Sequence, residues 1–326
     1  MRPPRLAILT RAAYRSPRFL AERLGRMLGR LGLQADVHLE GVGWLVRAGQ
    51  GRGGRRQQLE TWAARRRIES LRDYDLFVVA DSLYPLNDDV DLTALRAHGK
   101  PVLMYEVFYA GGAKYWLDRL PRRVLDKFDG YLCVSGIHGC APVGSRPIDV
   151  IGMDIRPCHP LPRQREREFS VLVDFPRQGY EAQRDEQMEA LRRLGIRPVV
   201  LQGEYSFGEI ESVYRTVSAA FVAFAEAFGL PIAQLQGYGA VILSPEKGWV
   251  MRHALLPDGS VFFETPDAPF SPNFCFYRDT DDLCRGLMQL RQDWDPAEVT
   301  SRFLQTHPAY SQGDLHALWQ ALRRYL

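Results

Sequence analysis

Residues 219–244 combine two short apolar runs with a glycine-containing turn, a proline and a further glycine. The runs at residues 220–224 and 240–243 have the length and composition of buried strands. Between them, Pro231 suits the first turn of a helix, where its missing N–H costs nothing, and Gly239 suits the position just past a helix end. The stretch therefore predicts a buried strand, a loop, a helix that starts near Pro231 and a second buried strand.

The turn at residues 228–231 has the features of an anion-binding site. A glycine-containing turn leaves free N–H groups at a helix N-terminus, where the helix dipole adds a partial positive charge. A phosphate group could bind there. The alternative is an ordinary strand–helix–strand crossover in which Gly229 and Pro231 only shape the turn.

The order of residues in this stretch resembles the donor-binding signature of GT-B glycosyltransferases, in particular the retaining, GT4-like group (glycosyltransferase family 1, the glycogen-synthase-like group). The residues that match the signature are Glu226, Phe228, Gly229, Leu230 and Pro231. The resemblance implies that Glu226 lies near the donor sugar as a catalytic residue and that the turn contacts the donor.

The sequence departs from the signature at its second acidic position, where Gln234 replaces a glutamate that binds the donor ribose in the family. Glutamine still accepts and donates hydrogen bonds, but it carries no charge. The fold implied by the resemblance is therefore better supported than the activity.

The resemblance implies an α/β protein of GT-B type, with two Rossmann-like domains facing each other across a cleft. A chain of 326 residues is long enough for two hydrophobic cores. We expect an acceptor domain over residues 1–155, a Pro-rich charged linker over 156–168 and a nucleotide-sugar donor domain over 169–308. A C-terminal helix over residues 309–326 is expected to pack back toward the first domain.

Further donor-binding residues are implied only by the resemblance. In the family, an arginine and a lysine after the first strand of the donor domain neutralise the donor diphosphate. Here Arg177 stands near the expected place, Arg184 is a more distant candidate, and no lysine is present between the two arginines. Gly203 and Tyr214 fall in the strand–glycine–helix unit that precedes the signature and are also expected to line the donor site.

The first domain begins with a predicted strand at residues 5–10, a helix at 19–32 and a strand at 35–39. The helix has an apolar face at helical spacing and three arginines predicted on the opposite face. The apolar residues are Leu20, Leu24, Met27, Leu28 and Leu31, and the arginines are Arg23, Arg26 and Arg30.

Glu106 lies at the end of a predicted buried strand, residues 102–107. Open α/β folds bind ligands outside the carboxyl ends of their strands. We therefore consider Glu106 a second candidate catalytic residue, acting as a base or binding acceptor hydroxyls. The alternative is a glutamate that makes only structural hydrogen bonds.

Two other segments have simpler interpretations. The Asp-x-Asp pattern within residues 88–91 is expected to cap a helix that starts near Leu92, and no metal site is predicted. Residues 264–276 are rich in proline and predicted to be irregular, and Asp279 is expected to cap the following helix.

Positive charge is concentrated at the start of the chain. Residues 1–67 contain 15 arginines and four acidic residues, a net charge of +11, whereas the remainder carries −8. Such a bias suits an anionic membrane face or a polyanionic acceptor, or it is only a solvated arginine-rich surface. A helix carrying Arg65–Arg67 is predicted to turn Leu59 and Trp62 inward. Because no nucleic-acid-binding module is recognisable, we expect no nucleic-acid partner.

The compartment is predicted from cysteines and hydropathy. The five cysteines are scattered and form no Cys-x-x-Cys pair, which argues against a disulfide scaffold and a structural zinc site. No apolar run approaches the roughly 20 residues of a membrane span. We expect a cytoplasmic protein, with the inner membrane face as an alternative location.

The resemblance implies a hexosyl-type glycosyltransferase that moves a sugar from a UDP- or GDP-linked donor to a saccharide or lipid-linked acceptor, as in polysaccharide biosynthesis. It implies a retaining reaction with no metal ion and no cofactor besides the donor substrate. The alternative is a catalytically degenerate GT-B protein that serves as a binding or scaffolding partner. Gln234, the missing lysine and the absence of a histidine after residue 105 in the predicted cleft favour this alternative.

Overall fold

The computed structural model of the chain describes residues 2–11, 15–50, 53–80, 90–108, 127–135, 148–156, 168–222, 229–246, 251–255, 261–263 and 272–326. The chain divides into two compact units. The first contains Met1–Asp154, His253–Ser260 and Gln312–Leu326, and the second contains Ile155–Arg252 and Val261–Ser311.

Strands and helices alternate through most of the described chain. The strands are β1 Arg5–Leu9, β2 Gln34–His38, β3 Leu76–Ala80, β4 Val102–Phe108, β5 Gly130–Ser135, β6 Ile148–Val150, β7 Ser170–Val173, β8 Arg197–Val200, β9 Ala219–Phe221, β10 Val241–Pro245, β11 Met251–Leu255, β12 Val261–Phe263 and β13 Phe274–Tyr277. The helices are α1 Arg15–Arg30, α2 Gly41–Gly49, α3 Arg55–Glu69, α4 Thr93–Arg96, α5 Glu181–Leu194, α6 Phe207–Tyr214, α7 Leu230–Gly237, α8 Thr280–Asp293, α9 Pro296–Thr306, α10 Ala309–Gln312 and α11 Leu315–Leu322.

The first unit is built on a parallel sheet with the strand order β2-β1-β3-β4-β5-β6. All five residues of β3 are buried. A parallel strand covered by helices on both faces needs such a continuous apolar run. The strand order reverses direction between β1 and β3, which is the switch point of this doubly wound sheet.

α1 packs on this sheet through the predicted apolar face. Leu20, Leu24, Met27 and Leu28 are at most 2% exposed. The prediction that Arg23 lies on the solvent face is wrong, because its side chain is only 2% exposed. Its guanidinium carbon lies 4.6 Å from the centroid of the Phe19 ring, and the long methylene stem lets the charge reach this position along apolar surface.

α3 has the opposite orientation from the one predicted. Leu59 and Trp62 are 67% and 59% exposed, whereas Ala64 and Ile68 are buried. Residues that are four apart share one face of a helix, and here that face is fixed by Ala64 and Ile68. Leu59 and Trp62 consequently point away from the core.

The second unit is built on a five-stranded parallel sheet with the order β13-β10-β9-β7-β8. Its switch point lies between β7 and β9. The prediction that residues 264–276 are irregular is wrong at its end, because β13 pairs with β10, with Phe274 opposite Ile242. A four-residue edge strand is too short to show a period, and its hydrogen bonds to β10 decide its conformation.

The predicted strand–helix–strand unit within residues 219–244 is confirmed as β9, α7 and β10. Gly239 ends the helix with a φ of +90°, a backbone conformation that favours glycine. The indole Nε1 of Trp294 donates a hydrogen bond to the Gly239 carbonyl oxygen at 2.9 Å. A Cβ added at Gly239 would lie 2.5 Å from the Cβ of Pro296.

Two predicted helix caps are also present. The Asp279 carboxylate accepts a hydrogen bond from the backbone N–H of Asp282 at the start of α8. Oδ1 of Asp91 accepts one from the N–H of Thr93 at 2.8 Å, ahead of α4. None of the helices in the described ranges is long and apolar enough to span a bilayer.

We expect Gly239→Ala to lower the free energy of unfolding by about 1–2 kcal/mol, because alanine is strained in the left-handed backbone conformation. Overlap of the added Cβ with Pro296 should lower it further. Gly208→Ala is the matched control, because Gly208 lies in α6 with no atom within 4 Å of the added Cβ. The control should raise stability by about 0.5–1 kcal/mol. Urea unfolding of both variants measures the difference, and equal stability would contradict the strain at Gly239.

Candidate functional site

The switch point of the second sheet is where an open α/β fold leaves a crevice for a ligand. The chain leaves β7 and β9 toward opposite sides of the sheet, since β7 is followed by α5 and β8 and β9 by α7 and β10. The described residues next to these two strand ends, Asp174 and Val222, therefore lie at the crevice.

The first turn of α5 connects the carboxyl ends of both strands. Nη1 of Arg184 donates a hydrogen bond to the carbonyl oxygen of Asp174 at 2.6 Å, directly after β7. Nε2 of Gln183 donates one to the carbonyl oxygen of Val222 at 3.3 Å, directly after β9. Both side chains are only partly exposed. The structure thus holds a guanidinium group at the switch point itself.

Arg177 and Arg184, the two diphosphate-binding candidates, have different surroundings. Arg177 lies exposed in the loop after β7, where its carbonyl oxygen accepts a hydrogen bond from the N–H of Tyr180 at 3.1 Å. Arg184 is further along the chain, but the loop and the first turn of α5 bring it back to the end of β7.

The N-terminus of α7 contains the signature turn. Gly229 is the N-cap residue in an extended conformation, Leu230 opens the helix and Pro231 lies in its first turn. The first N–H groups of a helix have no acceptor within the helix, so this end can bind an anion. Glu226 and Phe228 lie outside the described residues.

Gln234 lies on α7 with its side chain 4% exposed, and its Nε2 has no hydrogen-bond partner among the residues that the structure describes. Gln236, two residues later, is fully buried but satisfied: its Oε1 accepts from Nδ2 of Asn273 at 3.2 Å, and its Nε2 donates to the carbonyl oxygen of Ile232. A buried donor without a partner costs about 1–3 kcal/mol. Gln234 is therefore the buried amide on α7 whose donor lacks a partner in the described ranges.

Gly203 and Tyr214 have different surroundings. Gly203 follows β8 with a φ of +72°, in an exposed turn. Tyr214 ends α6 and is 6% exposed within a hydrophobic cluster that also contains Leu235 and Tyr238 of the α7 region. Tyr214 therefore belongs to the core beneath α7.

In the first unit, Glu106 lies two residues inside the end of β4, where it is half-buried and opposite Cys133 of β5. Two polar groups near the same carboxyl edge were not singled out from the sequence. Oγ1 of Thr10, after β1, and Nε2 of His38, at the end of β2, are buried and have no partner within the described part of the chain. For Thr10, the available signal was a polar residue directly after an apolar strand.

Burial lowers the pKa of His38, although the nearby Asp36 carboxylate partly opposes this. Its ring lies edge-on to those of Trp44 and Tyr74, with centroids 5.6 and 5.7 Å away. The hydrogen bond from the Tyr74 hydroxyl, at 2.6 Å, lowers the pKa of Asp36. His38 is thus favoured in its neutral form. No group of three or more metal-binding side chains occurs in the ranges that the structure describes.

No protein-family model matches the sequence, and no curated protein is significantly similar to it. Solved structures are similar over nearly the whole chain. The UGT2 structure from Phytolacca americana, complexed with UDP-2-fluoro-glucose and pterostilbene, has a TM-score of 0.51 at 8% identity and covers 100% of both chains. MurG of Acinetobacter baumannii has a TM-score of 0.47 at 14% identity, covering 98% of this chain and 100% of its own.

A third similar structure is the sucrose-phosphate synthase of Thermosynechococcus elongatus, with a TM-score of 0.46 at 11% identity and 98% of both chains covered. The likeness to the Phytolacca structure shows the fold. The chain has the GT-B glycosyltransferase fold, an α/β fold of two Rossmann-like domains, which confirms the fold predicted from the sequence.

We expect Gln234→Leu to leave the free energy of unfolding unchanged or to raise it by about 1 kcal/mol, because an unsatisfied buried donor is replaced by an apolar group. Gln236→Leu is the matched control on the same helix. It should lower stability by about 1–2 kcal/mol, because it removes a satisfied buried amide and takes an acceptor from Asn273. Equal losses in the two variants, measured by urea unfolding, would show that Gln234 has a structural partner.

Proposed function

We propose that this protein is a glycosyltransferase that moves a hexosyl group from a UDP- or GDP-linked donor to a saccharide or lipid-linked acceptor. The observation that carries the proposal is the unsatisfied buried amide of Gln234, on the helix that follows the signature turn of a GT-B fold. A buried polar atom without a partner is a site where a ligand can supply the missing hydrogen bond.

The donor diphosphate is bound by the cations of the switch point. Arg184 is held at the end of β7 and Arg177 lies in the loop that precedes α5. The first N–H groups of α7, next to Gly229, add donors and a partial positive charge. Because negative charge grows on the leaving diphosphate in the transition state, these groups lower the barrier as well as bind the donor.

The nucleoside ribose is bound by Gln234. A glutamate would accept hydrogen bonds from two ribose hydroxyls, whereas the glutamine amide accepts one and donates one from Nε2. The substitution keeps the recognition of a diol but removes the charge. Tyr214 supports this helix from the core, since its ring belongs to the hydrophobic cluster beneath α7. Gly203 gives the loop after β8 a left-handed turn without a side chain.

The sugar is contacted by the signature residues Glu226 and Phe228, together with Leu230 and Pro231 at the start of α7. Glu106 of the first unit acts as a base or binds acceptor hydroxyls. The proposal includes a retaining outcome and involves no metal ion and no cofactor besides the donor.

The second candidate function is a GT-B protein that binds its partners without turnover. Gln234 in place of glutamate favours it, as does the absence of a lysine between Arg177 and Arg184. The two functions differ in whether a donor is bound and consumed, so nucleotide binding and donor turnover distinguish them.

The first test is a thermal-shift titration of the protein with UDP, GDP and their hexose derivatives. A ligand at a hundredfold excess over its dissociation constant stabilises the folded state by about 2.7 kcal/mol. Arg184→Gln should weaken binding by about tenfold or more, as removal of a charged hydrogen bond costs about 1.5–3 kcal/mol. Arg291→Gln, an exposed arginine on α8, is the matched control and should bind as the wild type does.

No shift with any nucleotide, from a folded sample, would contradict donor binding and favour the second candidate function. A shift that Arg184→Gln and the Arg291→Gln control reduce equally would contradict the assignment of the switch-point cation.

The second test separates binding from turnover by measuring release of nucleoside diphosphate from the donor that binds. Glu226→Gln should lower the rate by at least about a hundredfold, within the range of acid–base and electrostatic groups, and leave nucleoside diphosphate affinity close to wild type. Gln234→Glu should keep or raise donor affinity in an active enzyme. If neither variant changes the rate of release, the activity does not come from this site.

A further inference from the structure

The outward face of α3 exposes two large apolar side chains. Leu59 is 67% exposed and Trp62 is 59% exposed. The other side of the helix faces the core through Ala64 and Ile68, and Oγ1 of Thr61 donates a hydrogen bond to the Arg47 carbonyl oxygen at 3.1 Å. The helix is therefore anchored by one face and presents the other to solvent.

Arginines lie on this same face. Arg55 is four residues before Leu59 and Arg66 is four residues after Trp62, so all four side chains fall on one stripe of the helix. The Arg66 guanidinium carbon lies 5.3 Å from the centroid of the Trp62 ring. The stripe combines apolar side chains in its centre with cations at both ends.

The helix as a whole is strongly basic. Its charged residues are Arg55, Arg56, Arg65, Arg66, Arg67, Glu60 and Glu69, which give a net charge of +3. One of the two glutamates, Glu60, is paired with Arg56 at 3.0 Å. Arg65 also reaches the Ala48 carbonyl oxygen at 3.4 Å, on the side of the helix that meets α2. The remaining arginines extend the positive surface beside the apolar pair.

We propose that α3 docks the first unit onto an anionic lipid bilayer surface. Leu59 and Trp62 enter the boundary between headgroups and acyl chains, and Arg55 and Arg66 lie along that boundary with their guanidinium groups on lipid phosphates. A helix with Trp and Leu on one face and arginines beside them has the composition of an interfacial helix. Arginine stems can lie on apolar surface while the charge reaches the headgroups.

A second copy of the chain fits this face poorly. The aromatic Trp62 buries at most about 250 Å², and with the smaller Leu59 the pair stays well below the about 800 Å² per partner of a stable interface. Two copies of the stripe would also bring like charges together. A bilayer has neither restriction, because its anionic headgroups complement the arginines and its acyl boundary accepts the two apolar side chains.

The test is flotation of the full-length protein with vesicles of phosphatidylcholine alone and with equimolar phosphatidylcholine and phosphatidylglycerol. The wild type should bind only the anionic vesicles, and binding should fall as salt rises and the Debye length shortens from about 10 Å at 0.1 M to about 3 Å at 1 M. This readout involves no nucleotide, so it is independent of the proposed glycosyltransferase activity.

Two double variants probe the two parts of the stripe. Leu59→Ser with Trp62→Ser should weaken vesicle binding by roughly tenfold or more, since both side chains lose their apolar insertion. Arg55→Gln with Arg66→Gln should weaken it by roughly 25-fold, at about fivefold for each arginine near the surface. Thermal unfolding should show that the variants remain folded, because substitutions at exposed positions usually change stability little.

Matched controls lie on α8 of the second unit. Met288, an apolar side chain that is 48% exposed, is changed to Ser, and the exposed Arg291 is changed to Gln. Both controls should bind the vesicles as the wild type does.

Several outcomes would overturn the proposal. One is that the wild type fails to bind anionic vesicles at low salt, and another is that the Leu59–Trp62 double variant binds them as well as the wild type. Self-association in light scattering that is lost in the same variant would make a second copy the occupant. Tighter binding to an RNA homopolymer than to the vesicles, weakened by both double variants, would make nucleic acid the partner.

Discussion

The parallel pairing of β7 with β9 is the interaction on which the candidate site depends. It places two strand ends side by side while their chain continuations diverge, which opens the crevice. The first turn of α5 then closes the base of that crevice with hydrogen bonds to Asp174 and Val222, one at each strand end. This arrangement places Arg184 at the end of β7. A change in strand order would move the cation away from the residues that follow β9.

The two buried glutamines of α7 differ in their hydrogen bonding. Gln236 has partners on Asn273 and on the helix backbone, so it stabilises the junction between α7 and its neighbours. Gln234 is buried to almost the same degree but its amide nitrogen lacks a partner among the described residues. The sequence identified Gln234 through its place in a signature, but the contrast with Gln236 required the packing of both side chains. The sequence alone does not show which of the two glutamines has hydrogen-bond partners.

The first unit shows the same dependence on packing at its surface. The bias of its arginines is visible in the sequence, but their surroundings are not. Arg23 is buried over Phe19, Arg26 faces the buried carboxylate of Asp154 at 3.5 Å, and Arg66 lies over the exposed ring of Trp62. Arginine side chains of this unit thus lie in the core, form ion pairs or remain at the surface. The positive charge available to an external partner is therefore smaller than the sequence count, and α3 carries five of the arginines.

The sequence by itself determined the features that depend on neighbours along the chain. These include the strand–helix–strand unit whose helix stops at Gly239, the cap at Asp279 and the apolar face of α1, because periodicity, capping and positive φ are local properties. The signature also identified the turn at Gly229, and from it the GT-B fold. Only the tertiary structure decided β13, the outward position of Trp62 and the placement of Arg184 at the switch point. These depend on which distant segment packs against each residue, and the free energy of that packing outweighs the local preference.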